Sequence, residues 1–243
     1  MENQSPQQQS WLKGKFMLKS LSDRGRFALF GFAALAALLP LWWTFADIAI
    51  ELAQPLAVAL AQVLGLVTDG GTRTANGWAL TTPYWITAGP ENLLGKYAKI
   101  GLGEAEMKFA IRSFPIFMAL MLAPPWSVAS LWRMLLGLLV LYVYLALSAL
   151  ALINMQVSIL LAGKPNPVFA NSPPPSISVL GTPYGEFGFW LAGALTYLAL
   201  FFASLILPVM LWAILKPEAV AVLMRSKDAK DDSETPATSP QAD

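Results

Sequence analysis

Charged residues are distributed unevenly along the chain, and the gaps between them predict its elements. None falls between Arg26 and Asp47, between Arg112 and Arg133, between Arg133 and Lys164, or between Glu186 and Lys216. Crossing a hydrocarbon core as a helix takes roughly 20 apolar residues, so each run is long enough for one span. The first span is expected over 27–46 and the last over 187–215, where Pro208 predicts a kink. The middle two form a hairpin over 112–163. Its corner, Ala123-Pro124-Pro125-Trp126-Ser127, carries two prolines that remove two backbone donors and push the preceding residue out of the helical region. Such a corner suits the membrane interface, as do Trp126, Trp132 and Arg133 beside it.

The segments between the spans have other patterns. After Asp47 and Glu51, apolar residues recur as Leu52, Leu56, Ala59, Leu60, Val63, Leu64 and Val67, the three-and-four spacing of one helix face. Region 47–68 therefore reads as an amphipathic helix at the outer membrane surface, continuous with or hinged to the first span. Pro55 and an uncharged run of only 17 residues, Leu52 to Thr68, make a separate crossing marginal. From 69 to 111 the chain reads as a small β-rich unit. Asn76-Gly77 is a two-residue hairpin signal between Thr72-Arg73-Thr74 and Trp78 to Thr82. Met107, Phe109 and Ile111 alternate with Lys108 and Ala110 as a half-buried strand would. A unit this small cannot build its own core and must pack on something, the outer helix being nearest. Region 164–186 holds Pro165, Pro167, Pro173-Pro174-Pro175 and Pro183, which predicts an extended, polyproline-like loop, either a spacer or a docking surface.

Composition agrees with this layout: 56% hydrophobic and 13% charged residues with a mean hydropathy of +0.55 describe an integral membrane protein. The expected fold class is an all-α transmembrane bundle of four spans, with a small external β-rich element and an outer amphipathic helix. Lys13, Lys15, Lys19, Arg24 and Arg26 crowd the first span, and Arg133 falls on the same face in a four-span arrangement. By the positive-inside rule that face is cytoplasmic, with the basic segment 1–26 and the tail 216–243 both on it. The Gln-rich start and the tail after Ser226 have little to bury and are expected to be disordered. A net charge of +1 argues against a nucleic-acid partner, which requires a concentrated basic surface. The chain has no cysteine and no histidine, which removes disulfides, a thiolate nucleophile and the commonest metal ligand and general base. No cofactor or metal site is expected.

Few side chains are left to carry chemistry. Asp47 and Glu51 stand four residues apart on one helix face at the end of the first span, and three readings are open: a solvated edge, a protein contact, or an ion path. In the second, Arg112 or an arginine of another protein is the partner. Arg133 at the corner is a further candidate contact. Asn154 and Gln156 suit interhelical hydrogen bonds. Ser113 lies near Lys108 and is the one weak hint of a Ser/Lys pair, while Glu104 and Glu106 without further ligands make a poor metal site.

The order of features resembles a known family. Leu39-Pro40-Leu41-Trp42-Trp43 ends the first span, Gly77-Trp78-Ala79-Leu80-Thr81-Thr82 lies in the external piece, and Ser113-Phe114-Pro115-Ile116-Phe117-Met118-Ala119-Leu120-Met121-Leu122-Ala123-Pro124 leads to Trp132-Arg133. This is similar to the exosortase H-associated membrane proteins, over about residues 26–152. Exosortases are multi-span transpeptidase-like enzymes of bacterial inner membranes, and their catalytic Cys and His are not available in this chain. The resemblance therefore implies a non-catalytic accessory protein in the bacterial inner membrane, bound to an exosortase-like multi-span partner in protein sorting to the cell surface. The main alternative is a small transport or channel subunit, with Asp47, Glu51 and Arg112 lining a hydrophilic path. A lone membrane enzyme using Ser113 comes third. The oligomeric state is not legible.

Overall fold

A computed structural model describes residues 22–74, 77–168, 175–182 and 184–224. The basic stretch from Lys13 to Lys19, Asn76, the Pro173-Pro174 pair, Pro183 and the tail from Arg225 onward lie outside the described residues. The described elements in chain order are α1 (Asp23–Val63), β1 (Thr72–Thr74), β2 (Gly77–Ala88), β3 (Tyr97–Gly103), α2 (Glu104–Ile111), α3 (Ser113–Leu122), α4 (Val128–Ala162), β4 (Ser178–Leu180), α5 (Glu186–Leu215) and α6 (Pro217–Met224). Three helices, α1, α4 and α5, are long and apolar enough to cross a membrane.

The expected first span and outer helix are one object. α1 runs 41 residues without a break at Asp47, passing through Pro40 and Pro55. Its buried face is also not the leucine face read from the sequence. Ala46, Ile50, Ala53, Ala57 and Ala61 are buried, while Leu52, Val63 and Leu64 face outward. Small residues let backbones approach closely, and the bulky face is left exposed. The run between Arg112 and Arg133, expected to give a full span, forms only the ten-residue α3, which is about 15 Å long. Pro124 and Pro125 end it, and Ser127 caps α4 by accepting from the Ser130 backbone at 3.2 Å.

α4 is the central post. It packs against α1, α2, α3, α5, β3 and β4, and its buried residues run from Ser130 to Leu160. Gly137 lets the fully buried Phe117 ring of α3 lie on the α4 backbone, since a Cβ there would stand 2.1 Å from the ring. Polar bonds pin the neighbours: Tyr142 donates to the Leu52 carbonyl of α1 at 2.9 Å, and Thr196 of α5 donates to the Ala151 carbonyl at 3.0 Å. α5 widens into a π-helical turn over Leu198–Ala203, just before Pro208. Pro208 has no N–H to offer the carbonyl of Ser204 and its ring crowds that carbonyl, so the ladder is disturbed where the wide turn sits. Tyr144 of α4 donates to Ala199 within that turn.

The β-rich unit is an antiparallel sheet with β2 at its centre. β3 lies on one edge; β1 and β4 share the other, because Trp85 pairs with both Tyr97 and Leu180. β1 and β2 pair across the expected hairpin, Thr74 opposite Gly77. Pro83 falls where the β2–β3 register shifts between Thr81 and Trp85, which a strand proline requires. The expected strand over Met107 to Ile111 is instead helix α2. Met107, Ala110 and Ile111 are its buried residues, a spacing of three and four, and Glu104 and Glu106 occupy its first turn, where carboxylates meet the positive end of the helix dipole. The third strand lies upstream, with Ala98, Ile100 and Leu102 buried and Tyr97, Lys99 and Gly101 exposed. Part of the proline-rich loop becomes β4 and joins the sheet. The apolar face of the unit packs on α4 and merges with the helical core. Gly77 has a φ of 136° and its Cβ position lies 2.1 Å from the Leu102 carbonyl. Gly77→Ala is expected to cost more than about 1 kcal/mol, seen as faster proteolysis of the 77–103 region in the intact protein.

Candidate functional site

Trp43, Asp47 and Glu51 recur every four residues and so form one stripe along α1. Each meets a basic side chain of the external unit. The Lys108 ammonium lies 3.2 Å from Asp47 and 5.8 Å from the Trp43 ring centre. Arg73 pairs with Glu51, reaches Glu104 at 3.5 Å and lies 5.6 Å from the Trp78 ring centre. The two carboxylates thus find Lys108 and Arg73, not the expected Arg112. The sequence reading missed Arg73, Lys108 and Glu104 as partners, because local spacing holds no information about which strand returns to α1. The side chains are partly exposed, Lys108 least of them, so each pair contributes up to about 1 kcal/mol. Asp47→Asn with Glu51→Gln is expected to lower stability by about 1–2 kcal/mol in total and to loosen the external unit, read by hydrogen exchange in β1 and α2.

A second joint closes the opposite end of the bundle. The Arg133 guanidinium donates to both Glu218 carboxylate oxygens at 3.0 and 3.1 Å and to the Leu215 carbonyl at 3.2 Å, capping α5. Lys216 is fully buried and donates to the Met121 carbonyl at 2.8 Å and to the Ala123 carbonyl, groups left without helical partners where α3 stops. Burial holds its ammonium below the usual lysine range, and the Glu218 carboxylate opposes this in part. In sequence Lys216 looks like an ordinary basic flank; its partners are 93 and 95 residues upstream.

Arg112 lies between α2 and α3 with its guanidinium carbon 4.7 Å from the Phe109 ring centre. Among the described residues no carboxylate comes within 4.0 Å of it. It borders a cleft of about 310 Å³ against the wide turn of α5. The Ser113 hydroxyl is buried and donates to the Ala110 carbonyl at 2.8 Å, and Lys108 is engaged with Asp47, so the structure does not bring the Ser/Lys pair together. Asn154 accepts from the Tyr184 hydroxyl at 2.8 Å, tying the loop before α5 to α4. No cluster of three or more acidic side chains able to hold a metal ion occurs among the described residues.

Large hydrophobic side chains are exposed along α1 from Leu29 to Leu52, along α4 from Val128 to Leu147 and along α5 from Phe187 to Ile214. Apolar surface on this scale marks contact with lipid or protein. No protein-family model, curated protein or solved structure gives a match to this chain.

Proposed function

We propose that the protein is a non-catalytic accessory subunit of the bacterial inner membrane, which binds a multi-span membrane partner and carries a sheet outside the bilayer to position that partner's cargo. α1, α4 and α5 each cross once, and α2 with α3 returns the chain from the outer side, giving four crossings with both ends cytoplasmic. Phe27 and Trp212, with ring centres 5.6 Å apart, support this count, since they bring the start of α1 and the end of α5 to one end of the bundle. The resemblance to exosortase H-associated proteins makes exosortase-type sorting the setting.

The observation that carries the reading is the use made of the charged residues. Asp47 and Glu51 are spent on Lys108 and Arg73, so they clamp the sheet to α1, as a scaffold requires. A channel or transporter would keep them open to a path. The test is crosslinking in native membranes, purification of the tagged protein in mild detergent and mass spectrometry. A multi-span protein containing Cys and His in fixed ratio is the expected result. Purification as a lone homo-oligomer, with solute flux in liposomes abolished by the Asp47→Asn/Glu51→Gln pair, would establish the transport alternative instead.

A further inference from the structure

β3 is bonded to β2 along one side and, among the described residues, to no strand along the other. Two contacts fix which of its backbone groups face which way. The Ile86 amide donates to the Lys96 carbonyl at 2.9 Å, and the Thr82 hydroxyl donates to the Ala98 carbonyl at 2.9 Å. A strand residue turns its N–H and C=O to the same side, and successive residues alternate. Lys96, Ala98, Ile100 and Leu102 therefore face β2, while Tyr97, Lys99 and Gly101 turn theirs to the open side. All three are exposed, and a Cβ at Gly101 would meet nothing within 4 Å. The open stretch ends at Gly103, where the Glu106 carboxylate stands 3.1 Å from the position a Cβ would take. A row of unpaired ladder groups is complementary to the backbone of a further strand. Charge selects the kind of strand. The Lys99 side chain stands between Tyr97 and Gly101 on the exposed face, and among the described residues no carboxylate comes within 4.0 Å of it. Antiparallel pairing with a second copy of β3 would set Lys99 opposite or diagonal to its own counterpart wherever Lys99 bonds to one of the three open residues, and like charges so placed are unfavourable. A carboxylate in that position is favoured instead. Beside Lys99 the Tyr97 and Trp85 ring centres lie 4.3 Å apart, so the same face takes an apolar side chain two residues further along the incoming strand.

We propose that the open edge of β3 takes an extended segment of the partner's cargo protein as a fifth strand, with an acidic side chain opposite Lys99 and an apolar one beside Tyr97. This rests on the accessory reading and names how its sheet holds cargo; recognition through main-chain bonds suits cargo of varied sequence. The test titrates the full-length protein in detergent with fluorescent host peptides of about nine residues, rich in Thr and Ser, bearing Glu, Gln or Lys at the centre and Val two positions on. The Glu peptide is expected to bind about threefold more tightly than the Gln peptide, with the Lys peptide weakest, and Lys99→Glu to invert that order. Methylating single peptide nitrogens is expected to weaken binding at least about fivefold at every second position and little at those between, since only alternate N–H groups face β3. Gly101→Pro removes one donor from the open side and none from the β2 side, as an edge strand tolerates, and should weaken the Glu peptide by at least about fivefold. No saturable binding of the Glu peptide below about 1 mM, an order of affinities that Lys99→Glu leaves unchanged, or a methylation pattern without alternation overturns the proposal. So does dimerisation that Gly101→Pro abolishes in place of peptide binding, which assigns the edge to a second copy. Wild type and Gly101→Pro are also crosslinked and purified from native membranes in parallel. A multi-span partner held by both, with a second protein crosslinked to β3 in wild type alone, is the expected result. A partner held by both with no such second protein, or with one that Gly101→Pro retains, overturns this site and leaves the accessory reading intact; no partner with either overturns both.

Discussion

Phe117→Ala is expected to cost about 3 kcal/mol, the largest loss of any single aromatic truncation in the bundle interior. Its ring is fully buried and fills the space that Gly137 leaves on α4, so the substitution opens a cavity between two helices that have little freedom to collapse. The reverse change, Gly137→Leu, forces new atoms into the same volume and should cost about 1–3 kcal/mol. Made together, the two changes exchange volume across one contact, and the double variant should recover a large part of the summed loss. Thermal unfolding in detergent, followed by tryptophan fluorescence, reads all three. Strict additivity would mean that Phe117 and Gly137 do not share a cavity, and the α3–α4 packing described above would be wrong.

Lys216→Met is expected to lower stability by about 2 kcal/mol at neutral pH, because it leaves two buried carbonyls at the end of α3 without donors. The pH dependence distinguishes this from a simple packing defect. With the folded ammonium held below the usual lysine range, the unfolded chain binds more protons between the lowered and the ordinary value. The contribution of Lys216 is therefore smallest below that window and grows as pH rises through it. The deficit of the methionine variant should be larger near pH 10 than at pH 7. A deficit independent of pH would show that Lys216 titrates normally in the folded state.

The sequence showed where the apolar helices run and where the sheet begins, and it did so through charge gaps and through Asn76-Gly77. Those are local signals: an uncharged run of sufficient length and a hairpin dipeptide act on their own neighbours. It misplaced what depends on distant partners. The leucines of 52–67 look like a packing face, but the alanines of the same helix are buried, and α4 reaches α1 there through Tyr142 at the Leu52 carbonyl. Met107, Phe109 and Ile111 fit both a strand and a helix in so short a window, and the helix prevails because Met107, Ala110 and Ile111 all meet the core. The site residues divide in the same way. Asp47, Glu51, Arg112 and Arg133 were identifiable as charges near span ends, but their partners were not. Arg73, Lys108 and Glu218 come from elements whose return to these positions is fixed only by the tertiary fold.

The sheet also sets an order on biosynthesis. β4 joins β2 late, and the bond from Thr87 to the Ser178 carbonyl spans 91 residues. Between the two, the ribosome must make β3, α2, α3 and all of α4, so the edge of β2 beyond β1 stays open while those elements are made. Pairing across so long a loop is slow and comes only after α4 has returned the chain to the sheet. Seating of β4 is thus a record that α4 has packed against the sheet. A nascent chain halted before Ser178 would present a sticky strand edge to whatever quality-control protease or chaperone patrols that face.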